Sequence, residues 1–119
     1  MLFRSSLEKC IKQTGNLGAL IIGLYNSDIE LIGRALQDVI IEPQRAPLIS
    51  HFYEVKESAL SAGALGCSIS GAGPSIFALS ANSLIAENVG IAMQKVFVDA
   101  GIENELFQSP INQEGAIRL

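Results

Sequence analysis

The sequence predicts an α+β domain, an antiparallel sheet covered by helices with additional helices ahead of it. Three observations carry this reading. Apolar residues recur at helical spacing in three successive segments over roughly residues 5–62. Two short apolar runs then flank a glycine-rich turn, Ser70-Gly71-Ala72-Gly73-Pro74-Ser75. One long helical segment separates those runs from two further extended runs at the end of the chain, so helices and strands do not alternate one for one, as a parallel sheet would require. With 119 residues, 49% of them hydrophobic, the chain fits one domain, 1–119, and can bury a sizeable core.

The elements follow in order. Leu17, Leu20, Ile21 and Leu24 share a helical face, which predicts a first helix over about residues 5–25. Gly15, Gly18 and Gly23 weaken it, each by up to about 1 kcal/mol against alanine, and leave room for another helix to approach. Ser27-Asp28-Ile29-Glu30 has the form of a capping box, with Ser27 accepting from the N–H of Glu30 and Glu30 reaching back. A second helix then places Ile29, Ile32, Leu36 and Val39 on one face and stops before Pro43. Glu42-Pro43-Gln44-Arg45-Ala46-Pro47 reads as a stiff connector. Pro47 suits the first turn of a third helix, along which Leu48, Phe52, Val55, Ala59 and Ala62 recur, with Gly63 as its stop.

Strands are expected at about 66–70 and 75–80, on either side of the glycine turn. A fourth helix is expected over about 83–100, with Ile85, Val89, Met93, Val96 and Phe97 inward and Gly101 ending it. Two last strands are expected at about 103–109 and 115–119. A helix between the second and third of four strands makes a split arrangement, a four-stranded antiparallel sheet of the ferredoxin-like kind. There is no internal repeat, low-complexity tract or interdomain linker.

Several classes of function are disfavoured. The formal net charge is −4 and the eight basic residues are scattered, which weighs against nucleic acid as a partner. The two cysteines, Cys10 and Cys67, are far apart and make no disulfide framework, so a reducing cytoplasm is expected. The segment Met1–Ser6 has no apolar region after its charge and is not a signal peptide. The longest apolar run, Leu17 to Tyr25, is too short and too interrupted by glycine to span a membrane. His51, the single histidine, has no cysteine or histidine at ligand spacing, so no metal site is expected, and it reads as a solvent-facing helical residue. Cys67 reads as a small buried hydrophobe rather than a nucleophile. Glu103 and Glu105 read as solvated charges on a sheet edge. No catalytic residue can be assigned.

Two features remain as candidate sites. Gly71 and Gly73 free the turn to adopt positive φ and leave the backbone bare. Pro74 fixes its own φ and removes one N–H. Such a turn can aim backbone N–H groups at an anion, but it lacks the Gly-Lys-Ser/Thr of a phosphate loop and lies between two strands rather than a strand and a helix. On local physics a structural hairpin is the leading reading and a ligand-contacting loop the second. Arg45, between two prolines, suits bidentate binding of carboxylate or phosphate. The plainer reading is a surface arginine paired with Glu42 or Asp38.

Taken with its neighbours, the glycine stretch resembles the C-terminal domain of the GHMP kinases, and within that superfamily the homoserine kinases. The residues that carry the likeness are Asp38-Val39-Ile40-Ile41-Glu42-Pro43-Gln44-Arg45-Ala46-Pro47-Leu48-Ile49, the run Gly63 to Leu79, and Ser109-Pro110-Ile111-Asn112-Gln113-Glu114-Gly115-Ala116. The resemblance implies that Arg45 contacts an amino-acid substrate through its carboxylate. It also implies that Gly71 touches substrate through its backbone and that Ser70, Ala72, Gly73, Pro74 and Ser75 shape the cleft. It implies transfer of the ATP γ-phosphate to the homoserine hydroxyl with Mg²⁺, in threonine biosynthesis.

The Pro-x-x-x-Gly-Leu-Gly-Ser-Ser-Ala type loop that holds ATP in such kinases is absent from these residues. The chain is therefore expected to be the C-terminal half alone, cut at the domain boundary or from a split or truncated reading frame, with the N-terminal ATP-binding domain as its missing partner. The chain alone is expected to bind no cofactor and to be inactive. It should also expose an apolar patch, on the Leu17–Leu24 helix and the loop side of the sheet, that can drive homodimerisation. The alternatives are the C-terminal domain of another GHMP small-molecule kinase, or a free-standing α+β interaction module.

Overall fold

The computed structural model describes residues 4–119. Met1–Phe3, on which part of the chain-start reading falls, lie outside the described residues. The first helix, α1, spans Leu7–Asn26, and Ser6 caps it by accepting from the Lys9 N–H at 3.2 Å. Of its three glycines, only Gly23 serves close packing. A Cβ there would stand 3.0 Å from Ile32 Cγ1 and 3.1 Å from the Ile32 backbone nitrogen, whereas Gly15 and Gly18 have nothing within 4 Å. The apolar side chains Leu7, Ile11, Leu17, Ile21, Ile22, Leu24 and Tyr25 are all exposed on α1.

The capping box is displaced by one residue. Ser27 ends α1 in the left-handed region at φ 54°, and Asp28 caps α2 (Ile29–Ala35), its Oδ1 accepting from the Leu31 N–H at 3.0 Å. The tight junction spends Ser27 on the reversal, which leaves the stronger acceptor to start the next helix. Helix α2 stops at Ala35, not near Pro43. Asp38 Oδ1 accepts from the N–H groups of Ile40 and Ile41 at 2.9 and 2.8 Å and so begins a new helical turn.

That turn is α3, Ile41–Arg45, followed by a 3₁₀ turn over Ala46–Leu48. The expected connector is therefore helical. Pro43 is accommodated because it is the third residue of α3, where its missing N–H has no acceptor to lose. The expected third helix from Pro47 is interrupted. His51 turns the chain at φ 61°, and α4 spans Phe52–Ser61. Phe52, Val55 and Ala59 are buried on its inner face, as their spacing requires.

Strands β1 (Gly66–Ile69) and β2 (Ile76–Leu79) pair antiparallel in the register Gly66 to Leu79 and Ile69 to Ile76. Helix α5, Ser83–Asp99, is capped by Asn82, whose Oδ1 accepts from the Ile85 N–H at 2.9 Å. Ala59 of α4, Cys67 of β1 and Val89 of α5 form the buried centre, with Ala62, Ala64, Ile76, Ala78, Ile85 and Met93 packed around it.

The four-stranded ferredoxin-like sheet does not form. Among the described residues the sheet has two strands. Residues 103–109 form no strand and lie along α5. Asn104 accepts from Gln94, Leu106 fills the space over Gly90, and Gln108 donates to the carbonyl of Ser83. A period of two set alternate side chains against the helix. Nothing in that period distinguishes a helix partner from a sheet edge. Residues 115–119 form no strand either: Asn112 closes a turn by donating to the Gly115 carbonyl, and Gly115 takes φ +68°. No helix among the described residues is long and apolar enough to cross a membrane.

Candidate functional site

Arg45 closes α3 and is half-buried. Its Nε donates to the carbonyl oxygen of Ala72, in the glycine turn, at 3.0 Å. The two carboxylates that a surface ion pair would have used are engaged elsewhere. Asp38 accepts from the N–H groups of Ile40 and Ile41 at the start of α3, and Glu42 accepts from Ser68 and Lys56. The terminal amino groups of Arg45 have no protein partner among the described residues. The guanidinium is thus oriented through one nitrogen, and its terminal two-nitrogen edge is left without a protein partner among the described residues.

The turn has its own frame. The Ser70 N–H donates to the Ser75 carbonyl at 2.8 Å and the Gly73 N–H to the Ser70 carbonyl at 3.2 Å. Those bonds leave the N–H groups of Gly71 and Ala72 without an acceptor among the described residues. Gly71 has φ +61° and Gly73 φ +79°, and the Gly73–Pro74 peptide is cis. At Gly71 a Cβ would meet nothing, so glycine answers to conformation there. At Gly73 a Cβ would press on Ile49 Cδ1 at 3.1 Å, so both reasons apply.

Arg45, Leu48, Ile49, Ala72, Gly73 and Pro74 line an open depression of about 200 Å³. Closed small-molecule sites typically enclose about 300–1,000 Å³, so this depression alone is too small and too open to enclose one. A cation, bare backbone donors and an apolar floor can hold a small anion attached to a short carbon chain. A larger groove between α4 and α5, lined by Glu54, Glu57, Ser58, Ser61, Ala62, Ala92 and Val96, shares no residue with it. Its acidic rim offers an anion nothing.

His51 is exposed, as expected, but stands at the N-terminal junction of α4 with its Nδ1 3.1 Å from Glu54 Oε1. Among the described residues no three His, Cys, Asp or Glu side chains are grouped to hold a metal. Cys67 is fully buried, and burial pushes its thiol up to about 11, with Lys56 lowering it and Glu42 raising it to lesser extents. Because the folded-state value lies above the ordinary 9.0, stability is expected to fall as pH rises from about 9 towards 11. The full effect is roughly 2–3 kcal/mol. Cys67→Ala should flatten this alkaline limb in urea melts. At pH 8 a thiol reagent should modify exposed Cys10 quickly and Cys67 only on unfolding. Equal labelling of both in the folded chain would contradict the buried placement.

One group escapes sequence inspection. Glu42 is only 6% exposed. Its Oε2 accepts from Ser68 Oγ at 2.7 Å and its Oε1 pairs with Lys56 Nζ. The signal available was a charge placed directly after Ile40 and Ile41.

A helix-covered hairpin whose turn is braced by an arginine matches a known domain class. Residues 20–99 match the family model described as GHMP kinases C terminal. The chain belongs to the GHMP kinase family, through its C-terminal domain. Its relatives include homoserine kinases. That of Chlorobium phaeobacteroides is 54% identical over 113 residues, and that of Chlorobaculum tepidum 54% over 112. These alignments take in 93% and 92% of this chain and 35% of each relative. The crystal structure of homoserine kinase from Cytophaga hutchinsonii superposes with a TM-score of 0.90 at 49% identity, covering 92% of this chain and 35% of that one. The chain therefore spans about a third of the length of the relatives it matches.

Proposed function

We propose that this chain is the acceptor-side domain of a homoserine kinase. In that enzyme it would form the wall against which L-homoserine lies while the ATP γ-phosphoryl group passes to the homoserine hydroxyl. The observation that carries the reading is the hydrogen bond from Arg45 Nε to the Ala72 carbonyl, which presets a guanidinium beside the glycine turn. The terminal amino groups of Arg45 bind the amino-acid carboxylate in two-pronged fashion. The backbone of Gly71 contacts the substrate, and Ser70, Ala72, Gly73, Pro74 and Ser75 hold the wall in shape. The identity to homoserine kinases supports this acceptor over others of the superfamily.

ATP and Mg²⁺ are assigned to the N-terminal part of the enzyme. The residues described here offer neither a grouped set of metal ligands nor a phosphate loop. When bound there, MgATP supplies the phosphoryl group. This chain contributes position and charge, on which such transfers chiefly depend. The exposed apolar face of α1 supports a reading in which more protein covers it.

The test has two arms. Calorimetry of the isolated chain with MgATP should show no binding, and the chain alone should release no ADP; micromolar MgATP affinity would sink the division of labour. A chimera in which this chain replaces the matching third of the Chlorobaculum tepidum enzyme should release ADP in response to L-homoserine and not to mevalonate or galactose. A chimera that binds MgATP but prefers another alcohol would favour a different GHMP kinase.

A further inference from the structure

Helix α3 has five residues, and the one it buries is a carboxylate, Glu42. Short helices normally attach through apolar side chains. Here the side-chain attachment runs through Glu42 Oε1 to Lys56 on α4 and Oε2 to Ser68 on β1 at 2.7 Å. Arg45 lies three residues after Glu42, nearly one turn on, and Ser68 lies two residues before Ser70, where the glycine turn begins. One carboxylate therefore ties together the helix that carries the guanidinium and the strand that leads into the turn.

A buried charge is tolerated only where its partners are well placed, and removing one partner leaves the other unsatisfied at a large cost. The Arg45–Ala72 hydrogen bond joins α3 to the turn that follows β1. It can keep its length only if they do not slide. An apolar residue in place of Glu42 could hold α3 down, but it would not accept from Ser68 of β1.

We propose that Glu42, clamped by Lys56 and Ser68, is the positioning residue for Arg45. It holds the guanidinium on the Ala72 carbonyl and so presents its free edge to the acceptor. The positioning is a statement about this chain alone. Its consequence for catalysis rests on the reading of Arg45 as the carboxylate-binding group.

The two are tested separately. In the 119-residue chain the Arg45 Nε–H resonance, identified by its loss in Arg45→Lys, should exchange slowly with solvent. In Glu42→Gln it should exchange at least tenfold faster, while the backbone amide of Val89 in α5 keeps its rate. Ser68→Ala, which removes one hydrogen bond and no charge, should show a smaller acceleration and serves if Glu42→Gln does not fold. A folded Glu42→Gln chain with unchanged Arg45 exchange overturns the proposal. So does acceleration shared equally by Val89, which would mean general loosening.

In the chimera, Glu42→Gln should raise the KM for homoserine about tenfold with the KM for ATP unchanged, and should add nothing in an Arg45→Ala background. Independent, additive effects would overturn the coupling even where the reading of Arg45 holds. If Arg45→Ala leaves the homoserine KM unchanged, the reading of Arg45 fails, and the exchange experiment still decides the positioning.

Discussion

Arg45→Ala in the chimeric enzyme is expected to raise the KM for homoserine about 10- to 100-fold while the KM for ATP stays within twofold. The magnitude follows from the loss of hydrogen bonds to a charged group, worth about 1.5–3 kcal/mol, which converts to roughly that factor. The effect should be specific because Arg45 lines the depression with Leu48, Ile49, Ala72, Gly73 and Pro74, and among the described residues there is no nucleotide loop. Arg45→Lys should recover only part of the loss. Lysine keeps the charge but has no Nε–H to donate to Ala72 at 3.0 Å and no planar edge for a carboxylate. Steady-state kinetics with each substrate varied in turn checks both variants.

Phe52→Ala is expected to have the largest effect on stability, a loss of about 3–5 kcal/mol. Phe52 is 1% exposed and is one of the largest fully buried side chains. It opens α4 directly after the left-handed turn at His51, and its ring lies edge-on to Tyr53 with the Lys56 ammonium 6.0 Å from its centre. Truncation leaves a cavity where the chain changes direction between the 3₁₀ turn and α4. Against a total of about 5–15 kcal/mol for a domain of ordinary stability, that is a fifth or more. Urea unfolding followed by circular dichroism measures it. A loss below 1 kcal/mol would mean that the site collapses around the missing ring.

Much of this architecture is legible in the chain because its signals are local. Helical spacing marks Phe52, Val55 and Ala59 as one buried face, and glycine and proline mark the hairpin turn. What is not legible depends on contacts distant in sequence. Ser27 and Asp28 are both good caps, and only the tightness of the α1–α2 junction decides which residue does which work. Pro43 looks like a helix stop and is an early helical residue, because Asp38 starts the turn that contains it. The alternating pattern around Leu106 reads as a strand, but no strand forms there, and Leu106 packs on α5 at Gly90.

The site divides in the same way. Arg45 and the glycine turn stand out from composition and stiffness alone. That Arg45 bonds to Ala72, 27 residues on, is visible only in three dimensions. Glu42 is the hardest case: in sequence it is one more acidic residue available to Arg45, and in the fold it is buried and turned to Ser68 and Lys56.

The central claim is that Arg45 reads the carboxylate of the acceptor. The most direct measurement compares L-homoserine with 3-amino-1-propanol, which keeps the amine and the hydroxyl but lacks the carboxylate, as substrates of the chimera and of its Arg45→Ala variant. The unaltered chimera should prefer homoserine in kcat/KM by about 100-fold or more, and the variant should lose most of that preference, since the group that recognises the carboxylate is gone. An Arg45→Ala enzyme that discriminates between the two alcohols as strongly as its parent would contradict the account.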